Sequence, residues 1–404
     1  MEKRYKFRVY PTEAQAAQIQ KNFNCCRFVY NHFLAKQIER YNSELRSESS
    51  EPATGNRQLE TEKRQGYAGL HDTTSELPQL KRTAGYEWLS EADSASLSYA
   101  LCDLDHAFKR FFKNVKKGNV APGFPKFKSK KWGLKSYRCK NRAGRQADHR
   151  SSIEIGENQI KLPKLGWIKC RVSSAVEGRI LSVSVIQQPS GKYFVSVYCT
   201  DVTPAALPKT EKTVGLHLGV KNLVVTSHGE HFENERYLKK SQNKINRLRR
   251  ELSRKSSDSK GREKTRIKLA KAFEKVACQK TDALHKLTTK FVREYDVICI
   301  RDEQVKGMMR NRKFAKHLSD ANWGEITRQL SYKCGWYGKT LVKVDKLSPS
   351  AQVCNVCGCK NTQLKPHHHK WNCPECGGAH KRAVNAAVNV LRSGRPEFTF
   401  VESV

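Results

Sequence analysis

The sequence predicts an α+β protein of several domains, and three patterns carry that prediction. Short alternating runs fill residues 151–200 (IEIGENQIKLP, RILSVSVIQQ, KYFVSVYCT), punctuated by Gly, Pro and Asn as in a small antiparallel barrel or sheet. Beyond Pro204 and Pro208 the order becomes strand, long helix, strand, helix, which is α/β architecture with a mostly parallel part. Two Cys-x-x-Cys pairs near the C-terminal end mark a pair of metal-binding turns. At 404 residues the chain can bury two or three separate cores.

In chain order, Lys3 to Tyr10 alternates basic and apolar positions, with Lys6 and Arg8 set against Phe7 and Val9. This reads as a strand that joins the antiparallel sheet, ended by Pro11-Thr12, with a helix beginning near Glu13. Residues 43–84 are rich in Ser, Glu, Thr, Gly and Gln and read as a mobile insertion. From Asp93, Leu97, Leu101, Leu104, Phe108 and Phe111 recur at steps of four and three behind a capping Asp93 or Ser94, giving an amphipathic helix. Lys109, Arg110, Lys113, Lys116 and Lys117 crowd its last turns, where they oppose the negative helix end and can also reach phosphates. The stretch 123–142 interleaves Phe124, Phe127, Trp132 and Tyr137 with Lys126, Lys128, Lys130, Lys131, Lys135 and Arg138. Aromatic faces beside a cationic ladder suit backbone tracking and base stacking, against the plainer reading of an edge strand with solvated lysines.

In the second half, VGLHLGVKNLVVT (214–226) reads as a buried strand running into another. Leu238, Ile245, Leu248 and Leu252 stripe one side of residues 235–255, while Lys239, Lys240, Lys244, Arg247, Arg249, Arg250 and Arg254 cover the rest. A dry seam under an almost wholly cationic face looks like a guide for an anionic backbone. A helix over 263–293 leads into DVICIRDEQV, a strand buried on both faces. A helix carrying Trp323, Ile326, Leu330 and Trp336 then precedes the strand TLVKVD at 340–345.

Composition narrows the partners. With 76 Lys and Arg against 39 Asp and Glu, the formal charge is +37, which would self-repel unless a polyanion neutralises it. Nucleic acid fits. A membrane partner does not, because the longest apolar runs, such as VICI at 297–300, fall far short of a span. The opening MEKRYKFRVYPT lacks the apolar stretch of a secretory signal, so a cytoplasmic location is expected. Ten of the fourteen cysteines are scattered among mostly apolar neighbours, as reduced core thiols are.

The other four are the strongest local signal. Cys354-x-x-Cys357 and Cys373-x-x-Cys376 lie fifteen residues apart, each followed by glycine, a spacing that wraps two thiolate-bearing turns around one tetrahedral Zn²⁺. Four sulfur ligands leave no open position, so the zinc is structural. Cys359 and His367, His368 and His369 are competing donors in vitro, and a polar loop between the turns is their simpler reading.

Taken together, KFRVYPT, FPKFKSKK, VGLHLGVKNLVVTSHGE, HKLTTKFVREYDVICIRDEQVKGM, the CNVCG and CPECG pairs and H-x-R-x-x-NAAxN resemble TnpB, the family of transposon-encoded RNA-guided nucleases related to type V CRISPR effectors. The resemblance runs from about residue 3 to residue 391 with its motifs in order. It implies a wedge β-barrel (1–12 and 123–205), a helical recognition lobe (13–122), a RuvC domain with the RNase H fold (206–350 and 377–394), an inserted zinc ribbon (351–376) and a tail (395–404). It also implies a guide RNA from the protein's own locus and a double-stranded DNA target bearing a short adjacent motif. The protein would act as a monomer on its RNA, in the cytoplasm of a prokaryote and associated with the nucleoid. Lys3, Arg4, Lys6 and Arg8, Ser96, Ser98 and Tyr99, Lys126, Phe127, Lys128, Lys130, Lys131, Tyr137 and Arg138, and Lys240, Lys244, Arg247, Arg250 and Arg254 are the expected nucleic-acid contacts.

The resemblance breaks at the acids. Active members carry G-I-D-x-G, I-E-D-L and H-x-R-D-x-N-A-A, and here His217, Arg301 and Ala383 stand in place of the three metal-binding carboxylates. Two-metal cleavage needs hard oxygen ligands around paired Mg²⁺ ions. At about 4 Å and an effective dielectric of about 20, a guanidinium and a divalent ion repel by about 8 kcal/mol. No catalytic Mg²⁺ and no nuclease activity are therefore expected, and the chain reads as an RNA-guided DNA-binding protein that represses transcription by occupying a promoter. The competing readings are an endonuclease with a degenerate RuvC site, an unguided basic nucleic-acid-binding protein, and a transposon accessory protein.

Overall fold

A strand of alternating Lys, Arg and aromatic residues opens the chain because only one of its faces can enter a core. The computed structural model describes residues 1–49, 68–118, 121–130, 133–141, 151–204, 206–303, 305–345, 351–365 and 367–395. It divides into two units, Met1–Thr203 and Pro204–Val404.

In the first unit β1 (Lys3–Tyr10) is followed by α1 (Glu13–Ser49), α2 (Leu70–Arg82), a short 3₁₀ turn at Glu87–Glu91 and α3 (Ser94–Lys116). Six strands complete it: β2 (Lys135–Lys140), β3 (Glu154–Ile155), β4 (Gln159–Leu162), β5 (Gly166–Arg171), β6 (Arg179–Gln187) and β7 (Tyr193–Thr200). They form one antiparallel sheet in the order β2-β6-β7-β1-β5-β4-β3, so the first strand joins the later ones as expected. Period-two alternation turns Tyr5, Phe7 and Val9 inward and leaves Arg4, Lys6 and Arg8 in solvent. The core unites this inner face with α1 and α3, whose Leu97, Leu101, Leu104 and Phe108 are buried. Asp93 caps α3 by accepting from the Ser96 amide.

One expectation is corrected here. The stretch 43–84 is not wholly an insertion without anchors, because α1 extends to Ser49 and α2 packs Leu77 into the core. Gln37 holds the segment before α2 by donating to the Ala68 carbonyl at 2.7 Å and accepting from its amide. The remainder of that stretch lies outside the described residues.

The second unit begins with β8 (Thr213–Leu218), β9 (Asn222–Thr226) and β10 (His231–Glu233). The helices α4 (Tyr237–Ser253) and α5 (Lys260–Glu294) follow, then β11 (Val297–Arg301), α6 (Val305–Met308), α7 (Arg312–Ala321), α8 (Trp323–Tyr337) and β12 (Thr340–Val344). Its sheet runs β10-β9-β8-β11-β12; the first two pairings are antiparallel, whereas β8, β11 and β12 lie parallel. β11, flanked by β8 and β12, buries Ile298, Cys299 and Ile300 completely, as a strand covered on both faces must. A two-stranded ribbon, β13 (Lys370–Asn372) and β14 (Ala379–Lys381), leads directly into α9 (Arg382–Gly394). That helix lies against β8, where a Cβ on Gly215 would come within 2.1 Å of the Ala387 carbonyl oxygen, so only glycine permits the approach.

Candidate functional site

The four cysteines meet as their spacing requires. Their sulfur atoms lie within 4.8 Å of one another, with Cys354 and Cys376 at 3.7 Å and Cys357 and Cys373 at 3.5 Å. Four thiolates bound tetrahedrally at about 2.3 Å stand about 3.8 Å apart, so the donor set fits Zn²⁺. The two turns are built alike: Gly358 donates to the Cys354 carbonyl and Gly377 to that of Cys373, each at 3.0 Å and each with a positive φ. His380 Nε2 stands 3.1 Å from Cys354 Sγ while its ring lies 4.7 Å from that of Trp371, which orients one sulfur from outside the ligand set.

α9 grips this ribbon. Asn385 Nδ2 donates to the Val353 carbonyl at 2.7 Å and its Oδ1 accepts from the Asn355 amide at 2.9 Å, so the residue brackets Cys354. Asn389 donates to the same Val353 carbonyl at 2.7 Å, and Arg392 donates to the carbonyl of Asn355. The NAAxN motif therefore serves as a mount for the ribbon, with Ala386 and Ala387 fully buried between.

The three degenerate positions gather near the start of α9. His217 is on β8, Arg301 ends β11, and Ala383 is the second residue of α9. Burial, then the charges of Arg301 and Arg382, push the His217 imidazole down to about 4, so it is neutral at ordinary pH. Asp302 is exposed and its amide donates to the Val344 carbonyl. Glu303 turns back so that its amide donates to the Arg301 carbonyl, and its carboxylate stands 3.7 Å from the Arg301 Nε.

The expected nucleic-acid contacts separate into three groups. On the outer face of the first sheet Arg4 lies over Tyr198 at 5.0 Å, Lys6 over Phe194 at 4.8 Å and Arg8 over Tyr10 at 4.8 Å, while Lys3 pairs with Glu177 at 3.4 Å. The same face continues through Lys169, Arg171 and the exposed Trp167 of β5, which sequence reading passed over. Their signal was the alternation of GWIKCR, the same as in β1.

A second cluster forms where Lys128 and Arg138 each stand 3.5 Å from Asp103, with Tyr30 beneath Lys128 and Tyr99 beneath Arg138. Phe127 is 56% exposed, and Lys126 and Lys130 are in solvent. Ser98 is half-buried and its hydroxyl donates to the Ser94 carbonyl. Two expected contacts are corrected. Ser96 is buried with its hydroxyl donated to Asp93, and Tyr137 is buried with its ring 5.6 Å from Phe23. Lys131 lies outside the described residues.

The third group lines α4. Lys244, Arg247, Arg250 and Arg254 are exposed, as is Lys240, which pairs with Glu235 at 2.6 Å. The dry side of the helix, Ile245 and Leu248, packs on Ala272 and Val276 of α5.

Comparison with known proteins places this geometry. A family model described as "Probable transposase" matches residues 196–312, and one described as "Cas12f1-like, TNB domain" matches 323–390. A third, described as a helix-turn-helix domain, matches residues 1–46, which here form a strand and most of one long helix. The solved "Cas12f1-sgRNA-target DNA complex" shares the fold with a TM-score of 0.58 at 12% identity, covering 96% of this chain and 98% of that one. The class is thus a mixed α/β protein of Cas12f-like fold, with a RuvC-like domain and a cysteine ribbon able to hold zinc. A relative from Streptomyces pristinaespiralis named as an RNA-guided DNA endonuclease is 33% identical, over 96% of this chain and 89% of its own length. Another of the same name, InsQ of Escherichia coli K12, is 29% identical over 96% and 92%. The chain belongs to the TnpB family. Among the described residues no helix is long and apolar enough to cross a membrane.

Proposed function

We propose that this chain binds DNA under the direction of a guide RNA without cutting it, and represses transcription by occupying a promoter. The observation that carries the reading is the set His217, Arg301 and Ala383 at the three acid positions of a frame otherwise intact in β8, β11 and α9. Imidazole nitrogen, guanidinium and methyl offer no hard oxygen for Mg²⁺, so the residues present do not fit a catalytic metal pair. Glu303, two residues past Arg301, has its carboxylate 3.7 Å from the Arg301 Nε. Zinc in the ribbon is structural.

The partners follow from charge and kinship. A guide RNA transcribed from the protein's own locus would lie along the cationic faces, the first sheet acting as a wedge barrel and α1 to α3 as the recognition lobe. Base pairing reads most of the target, and the protein reads a short adjacent motif in duplex DNA. Half-buried positions near the start of α3, such as Ser98 and Tyr99, are candidates for that reading. The complex is a monomer on its RNA in the prokaryotic cytoplasm, associated with the nucleoid.

Sequencing the RNA that co-purifies, followed by gel shift and cleavage assays on the DNA its guide segment names, tests the proposal. A discrete RNA and a shifted, uncut duplex in Mg²⁺ or Mn²⁺ are expected. Severed strands that disappear on chelation would overturn it, and random cellular fragments would mark an unguided binder.

A further inference from the structure

β13 and β14 are held in a register that brings two lysines face to face. The Arg382 amide donates to the His369 carbonyl at 2.9 Å and the Cys373 amide to the Gly378 carbonyl at 2.9 Å. Hydrogen-bonded pairs therefore fall at His369 with Arg382, Trp371 with His380 and Cys373 with Gly378. Lys370 and Lys381 are partners at a position between them, where no ladder bond lies and the Cα atoms of a pair come within about 4.5 Å. Trp371 and His380 turn the other way and are buried, their rings 4.7 Å apart. Lys370 and Lys381 thus share the outer face, both exposed, with the exposed Asn372 two residues along. Like charges directly opposite each other weaken a strand pair, and this is the register at which side chains stand nearest. Glu375 is the one acid between residues 351 and 381, and its carboxylate lies against the Cys359 thiol. Among the described residues neither lysine ammonium has an ion-pair or hydrogen-bond partner.

We infer that the paired Lys370 and Lys381 are a seat for the phosphodiester backbone of the guide RNA. Two ammoniums on one narrow face make a concentrated positive charge that strand phosphates neutralise. As flexible point charges they can take the two non-bridging oxygens of one phosphate or divide between successive phosphates. The Asn372 amide on the same face can donate to the same backbone. RNA is favoured over target DNA by when the repulsion has to be offset. The folded protein carries it at all times, whereas DNA is visited and left, so only a resident polyanion offsets it continuously. The inference rests on the reading that the chain carries a guide RNA, and it gives the cysteine ribbon a share in holding it.

The test uses the full-length, zinc-loaded protein in two forms, as purified with its RNA and after removal of that RNA by nuclease and high salt. The RNA-free form is titrated with fluorescein-labelled oligouridylate across a range of salt concentrations, and the RNA-loaded form with a fluorescein-labelled DNA duplex. Lys370→Gln, Lys381→Gln, the double variant and Lys381→Glu are compared with the wild type, with zinc content and melting temperature as the check on folding. Each lysine lost should lower the oligouridylate affinity roughly fivefold and its salt slope by about 0.7, while duplex binding by the RNA-loaded form stays unchanged. Lys381→Glu sets a carboxylate opposite Lys370, so zinc retention in a chelator competition should rise roughly threefold while oligouridylate binding falls below that of Lys381→Gln. Lysines with a merely structural role would gain the stability and keep the binding. Unchanged oligouridylate affinity and slope in the folded double variant overturn the seat, as does zinc retention that Lys381→Glu leaves unchanged. Loss of duplex affinity in the RNA-loaded form shows the lysines open to DNA and overturns the assignment to RNA, and so does wild-type protein that carries no RNA. Cutting of guide-matched DNA in Mg²⁺ overturns the proposed function instead, while the seat is judged on these titrations alone.

Discussion

Asp296 and Lys339 form a charged contact that joins the residue before β11 to the residue before β12. Hydrogen bonding from Lys339, reinforced by the amides of Glu211 and Thr210 at 2.7 and 2.8 Å, holds the Asp296 carboxyl down to about 2. Its folded value lies below its unfolded one, so its stabilisation is complete above about pH 4 and is lost as pH falls toward 2. Asp296→Ala strands a lysine whose side chain is 2% exposed, and should cost about 3 kcal/mol in urea denaturation at pH 7. Lys333 behaves oppositely. Burial pushes its ammonium down to about 8 although it donates to the His285 carbonyl and to the Thr288 and Thr289 hydroxyls. The unfolded chain keeps that proton to higher pH, so wild-type stability should rise between about pH 8 and pH 10 by an amount that Lys333→Met removes. Neither residue was legible in the sequence, where each is one lysine or aspartate among many and only burial separates it from the solvated rest. Ser96 and Tyr137 were misjudged for the same reason: a serine at a helix start and a tyrosine beside arginine look alike whether they face water or the core.

Legibility improves at the scale of elements wherever periodicity speaks. The alternation of β1, the stripe of α3 and the two Cys-x-x-Cys turns could be read directly, because each is fixed by neighbours a few residues away. α2 escaped because Leu70, Leu77 and Leu80 are its only anchors in a polar stretch interrupted by Pro78. The grip of α9 on the ribbon escaped because Asn385 and Val353 are 32 residues apart and an amide side chain does not announce its partner. That grip changes how the preserved NAAxN motif is understood, since its asparagines have a mounting duty that holds whether or not the pocket nearby has acids. Asn385→Ala removes the bonds on both sides of Cys354 and should weaken zinc retention about tenfold in a chelator competition, with the four thiolates still present. Unaltered zinc retention would show that the turn holds its own shape.

The whole molecule distributes cations over both units: the outer face of β1 and its neighbours, the cluster around Asp103, and the exposed side of α4. Such a surface sets affinity through salt-dependent phosphate contacts and does not depend on chemistry in the pocket. Binding that draws on many cationic side chains and cleavage that needs three acid positions can therefore part company in evolution. This separation predicts what restoring the acids should do. His217→Asp, Arg301→Glu or Ala383→Asp alone supplies one carboxylate where a metal pair needs several, so each single variant should stay inactive in Mg²⁺. The triple variant removes the guanidinium and returns all three oxygen donors to a frame still held by Gly215 and by α9. Mg²⁺-dependent nicking of guide-matched DNA should then appear, lost on chelation. An inert triple variant that still binds its target would mean that the frame around β8, β11 and α9 has drifted beyond the tolerance of two-metal geometry.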